Sequence, residues 1–202
     1  MPIHLTSSDR SLVRFAAQYP VGHPIRRTII TRIARAMENI EGKHIMDRAR
    51  VRNTAIVYGD AVVSDGAEIA GEAQVFEQAQ VSGNAKVYGK CKVRGESKVE
   101  GQAHIYDRAQ ITDQAHILDR AKVFNSAIVS GRAMVYGDAE VSEFATVEDQ
   151  AKVFGHAQVR GRRTWVGGHA RIGGDAVILG GVWDGSEGEI THGQWIAPNT
   201  PA

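Results

Sequence analysis

AQVSGNAKVYGKCKVRGESKVEGQAHIYDRAQITDQAHILDRAKVF, residues 79–124, carries a small residue at every sixth position and a Val or Ile two places after it. The pattern extends in both directions. From Ala49 to Ala157, in steps of six, all nineteen positions are Ala except Cys91 and Ser97. Each is followed two residues later by an aliphatic residue, from Val51 to Val159, and Ile45 adds one more, so that twenty hexads run without insertion or deletion. An internal repeat of this strictness outweighs any local propensity.

A period of six does not match the 3.6 residues of an α-helical turn. Alternation does fit. The small and the β-branched residue are two apart and share one side of a short strand, while the residue between them and the one after point outward. The remaining two positions have turn chemistry. The first is Gly83, Gly89, Gly95, Gly101, Asp107, Asp113, Asp119, Asn125, Gly131 or Gly137 across the middle of the chain, and these residue types accept positive φ. Each hexad therefore reads as a strand and a corner.

The motif A-x-V-x-G-x over residues 43–180 resembles the hexapeptide-repeat, left-handed parallel β-helix family, in its YdcK-like branch, whose members carry an acyltransferase label by fold. The resemblance implies three hexads to a triangular coil of about eighteen residues. At ~4.8 Å per coil, twenty hexads make near seven coils and a prism roughly 30 Å long. The fold class expected is all-β, a triangular solenoid, with caps over its open ends.

The caps are read from the flanks. Residues 1–42 hold two helical patterns. In the first, Ser7, Ser8 and Asp9 precede Leu12, Val13, Phe15 and Ala16; in the second, Pro24 opens a run with Ile25, Ile29, Ile33 and Met37 on one face. Residues 43–180 are the repeat. Near its end the phase slips: Arg163 stands where a small residue belongs, and Thr164, Ala170 and Ala176 take over, with Val166, Ile172 and Ile178 as partners. One extra residue near 160–163 predicts a bulged corner. Residues 181–202 read as an extended or hairpin cap, with Trp183 and Trp195 available to cover the last edge, and this tail resembles the carboxy end of YdcK-like proteins.

Composition narrows the function classes. The chain has 202 residues, 43% hydrophobic and 6% aromatic, with a net charge of +1. One cysteine, Cys91, rules out an internal disulfide and a cysteine zinc site. No apolar run approaches the ~18 residues of a membrane span, so the expectation is a soluble, cytoplasmic protein with no membrane partner. Residues 1–48 carry eight basic and four acidic side chains. That excess is small, and nucleic-acid binding through the N-terminal arginines is disfavoured.

Acyltransferases of this fold use a histidine as general base at a trimer boundary, and often a loop expelled from a coil to cover acyl-CoA. Here no loop interrupts residues 43–162. His104 and His116 occupy the outward slot between Ala and Ile, two hexads apart and hence on different faces. If the chain is such an enzyme, these are its catalytic candidates, with Asp107 or Asp119 supplied across a subunit boundary. Otherwise they are surface histidines of the repeat. His156 and His169 lie near corners, and no closely spaced histidine pair suggests a metal site. No cofactor is expected unless the acyl-CoA reading holds.

Outward positions eighteen apart stack. Tyr88, Tyr106 and Phe124 form one column beside Lys86, His104 and Lys122; another face gathers His116, Leu118, Met134, Tyr136 and Phe154; a further one holds Ile56, Tyr58 and Phe76. Contiguous apolar columns on two faces of three suit a homo-oligomer, trimer or dimer, or another protein partner. An aromatic column flanked by lysines could also stack bases, but Glu68, Glu100 and Glu140 dilute its positive field. The first reading is therefore a non-catalytic scaffold or interaction protein, a class that regulation or inhibition of another protein would fit. The alternative is a trimeric acyl-CoA-dependent acyltransferase.

Overall fold

The computed structural model describes residues 45–196; the two N-terminal helical patterns lie outside them. The described chain is an all-β, left-handed parallel β-helix of about eight turns, with no helix. Strands of two residues recur every six positions, beginning with Arg50–Val51, Ile56–Val57 and Val62–Val63. These three start the first, second and third faces of the prism. Every pairing is parallel, and from Arg50↔Glu68 through Glu68↔Lys86 and His104↔Lys122 the partner lies eighteen residues on.

The ladder is made by outward residues. Lys86 N–H donates to the Ala103 carbonyl at 2.9 Å and Tyr88 N–H to the Ile105 carbonyl at 2.9 Å, one coil later. The inward residues are the core. Ala61 to Ala157 and Val57 to Val159 are fully buried at nearly every step, with Ile at 69, 105, 111 and 117. Each Val side chain removed from water contributes about 1.5–3 kcal/mol. The paired Ala, equally buried, keeps the interior narrow.

Corners impose the other half of the pattern. Every sixth residue from Asp47 to Gly161 has positive φ, a region costing an ordinary residue roughly 1–2 kcal/mol. Glycine enters it freely, and at Gly95 a Cβ would come within 2.6 Å of the Asp113 carbonyl oxygen one coil on. Where the corner is acidic, the side chain repays its strain. Asp113, Asp119 and Asp65 each accept the backbone N–H of the corner above, Gly131 at 3.1 Å, Gly137 at 3.0 Å and Gly83 at 2.9 Å.

The extra residue falls where the phase slip placed it. Arg163 has positive φ at 62°, and the pairings that span it are offset by nineteen, as in Thr146↔Trp165 and Lys152↔Arg171, before Arg171↔Glu189 returns to eighteen. The described part of the tail, to Ile196, is extended and forms no hairpin. Strand Val177–Trp183 bends round a corner at Gly181, φ 88°, and pairs on both the first and second faces. Glu189–Ile190 and Gln194–Ile196 then add parallel pairs and complete a further turn. Trp183 is buried, packs edge-on against Trp195 at 6.0 Å and donates to the Gly180 carbonyl. Trp195 stays exposed. No described helix is long and apolar enough to cross a membrane.

Two departures from Ala in the core behave differently. The Cys91 thiol donates to the Tyr88 carbonyl at 3.0 Å, whereas the fully buried Ser97 hydroxyl has no partner. An unpaired buried hydroxyl costs about 1–3 kcal/mol, so Ser97→Ala raises stability by about 1 kcal/mol in urea unfolding. At the corners, Asp119→Ala destabilises more than Asp119→Gly, because alanine loses the bond to Gly137 and retains the φ strain. Equal losses would show that the strain is negligible.

Candidate functional site

On the first face, ring planes in the tyrosine column are parallel. Tyr88 and Tyr106 stack at 5.2 Å and Tyr106 and Phe124 at 4.7 Å. This spacing is the coil repeat, and it closes the gap between rings. The column therefore offers ring edges outward, with no slot for a flat ligand between its members. Burial raises the Tyr88 phenol and pushes that of Tyr106 up to about 12, with neighbouring negative charge adding to both.

His104 stands in the adjoining column, in register between Lys86 and Lys122. Burial first, then the two ammonium groups, lower its pKa below 6.5. Lys122 is itself held by Glu140 at 2.8 Å. His104 is thus a neutral imidazole near pH 7, with no carboxylate bonded to it among the described residues.

His116 is on the third face, beside Lys98 and Met134 in register. Its Nε2 lies 3.0 Å from Glu100 Oε2, and both side chains are partly exposed. A histidine bonded to a carboxylate is the arrangement that orients a general base. The carboxylates named for this role from sequence are otherwise engaged: Asp107 accepts from the Asn125 backbone and side chain, and Asp119 from the Gly137 backbone. The partner is Glu100, sixteen residues before His116. Laying the hexads in columns of eighteen places the two diagonally, and that was the signal available.

Above His116 the third face is apolar along one column. Leu118, Tyr136 and Phe154 are spaced by one coil, and the last two stack at 5.3 Å. The Phe154 ring leans over Gly173, where any Cβ would collide with it, and Trp165 covers Gly167 in the same way. The second face carries Tyr58 and Phe76, stacked at 5.0 Å. His104 and His116 are on separate faces, and no group of metal-ligating side chains is found among the described residues. Cys91, with its thiol pushed up to about 12 by burial, is no nucleophile.

Comparison with protein-family models, curated proteins and solved structures gives no match.

His104 links stability to pH. Its lowered pKa means that the unfolded chain binds the proton more readily. The contribution is complete above 6.5 and is lost as pH falls through the folded value. Unfolding at about pH 7.5 and about pH 5.5 will show a smaller loss for His104→Gln than for wild type. Parallel losses would contradict the assignment.

Proposed function

We propose that the protein is a non-catalytic β-solenoid scaffold that self-associates, as a trimer or dimer, through its outward faces. The observation that carries this reading is the pair of apolar columns on two faces of one uninterrupted prism: Tyr88, Tyr106 and Phe124 on one, Leu118, Tyr136 and Phe154 with Met134 on the other. The prism is stiff, because every coil is bonded to its neighbours on three sides. Its columns therefore present fixed spacings to a partner at little ordering cost. Closed cyclic assembly would use one face against the other. Edge-only presentation of the rings favours packing against protein over stacking on bases.

A second reading has its own support. The Glu100–His116 pair would make His116 the base of an acyl-CoA-dependent acyltransferase of the hexapeptide-repeat type that the A-x-V-x-G-x motif resembles. Acyl-CoA would then be the cofactor. The uninterrupted coils from 45 to 159, with no covering loop, favour the scaffold.

Light scattering separates the possibilities. The wild type is expected to be a trimer or dimer, and Tyr106→Glu combined with Tyr136→Glu to reduce it to a monomer while the far-ultraviolet spectrum stays unchanged. A monomeric wild type would overturn self-association and the trimeric enzyme together. Acyl-CoA binding that His116→Ala abolishes would favour the enzyme over the scaffold.

A further inference from the structure

We propose that the edge between the second and third faces, around Arg132, Lys152 and Arg171, binds a phosphate group, free or as a small phosphate ester. A shallow cavity of ≈ 310 Å³ there is lined by Arg132, Gln150, Lys152, His169 and Arg171. The fold explains why these side chains meet. Arg132, Gln150 and His169 are the last corner residues of three successive coils, and Lys152 and Arg171 are outward residues paired in register beside them.

The register pair itself points to a ligand. Lys152↔Arg171 is the one pairing among the described strands that sets two permanently positive outward side chains opposite each other. Other cations in the ladders face carboxylates or neutral side chains, as in Glu68↔Lys86, Lys122↔Glu140 and Gln74↔Lys92. Like charges directly opposite destabilise a sheet, and a bound dianion would reverse that repulsion. Among the described residues neither Lys152 nor Arg132 has a carboxylate within ion-pair distance, while Arg171 is paired with Glu189.

Both guanidinium groups are also held in place from behind. Arg132 Nε donates to Gln114 Oε1 at 2.9 Å, and Gln114 donates to Glu96 at 3.0 Å one coil lower. Arg171 Nε donates to Glu189 at 2.6 Å, and its guanidinium carbon stands 5.4 Å from the Phe154 ring centroid. Anchoring through Nε leaves the terminal nitrogens, the part of the fork that grips oxyanions, for a ligand. Asp149, the nearest corner acid, is turned to the Gly168 backbone N–H. This site does not rest on the self-association or acyl-transfer reading, although it adjoins the Met134 and Phe154 positions of the proposed interface on the third face.

Calorimetric titration of the full chain with inorganic phosphate, and separately with phenyl phosphate, tests the proposal. Saturable one-site binding is expected, weakened about tenfold or more by Lys152→Gln and by Arg132→Gln. Lys92→Gln on the second face should leave it unchanged. Tighter binding of phenyl phosphate than of phosphate would identify an ester as the better ligand; the reverse would identify the free ion. Relief of repulsion predicts that ligand-free Lys152→Gln melts at a higher temperature than wild type, and that phosphate stabilises the wild type more. No saturation by about 10 mM, or equal weakening by Lys92→Gln and Lys152→Gln, would overturn the site.

Discussion

The backbone of each coil hydrogen-bonds to the coil eighteen residues later, and the rest of the molecule inherits that register. It requires the chain to return to the same azimuth after three strands. Hence three corners per coil, each made by one residue of positive φ. It also puts like positions above like, so an inward small residue meets a small one, an inward Val meets Val or Ile, and the interior stays nearly uniform for most of the prism's length. The corner carboxylates that cap the next coil's N–H add a side-chain ladder to the backbone one. A single inserted residue, at 160–163, is absorbed at a corner, and the pairings that span it have a register of nineteen.

The same constraint governs the surface. An outward side chain cannot choose its neighbours; it takes whatever lies one coil above and below. Rings meet rings at the coil spacing, and Lys122 meets Glu140. Where the register sets Lys152 against Arg171, the other neighbour of Lys152 is Met134, while Glu189 is bonded to Arg171. The interior is satisfied by the fold alone. Outward pairings such as Lys152 with Arg171, and the apolar columns, are therefore where the chain carries information beyond its own folding.

Function reads differently from the two histidines for this reason. His104 is held neutral between cations, a role any repeat surface could impose. His116 is tied to a carboxylate on its own face. Both sit in the same slot of the hexad and are indistinguishable within it, and their difference arises from the coils on either side.

The sequence by itself determined the strands, the corners and the position of the slip at Arg163, because these follow from a period of six and from which residues tolerate positive φ; the three faces and the stacked columns were what the resemblance to hexapeptide-repeat β-helices implied. Tertiary structure decided what the period leaves open. Glu100 reaches His116 along a diagonal set by side-chain conformation, so Asp107 and Asp119, which match the corner pattern, serve the backbone instead. Val177–Trp183 turns its corner at Gly181, with positive φ, while staying continuously paired, and the described tail, to Ile196, adds parallel pairs to the preceding turn. Lys152 and Arg171 become neighbours only after the inserted residue shifts the register from eighteen to nineteen, a contact that no fixed period could place.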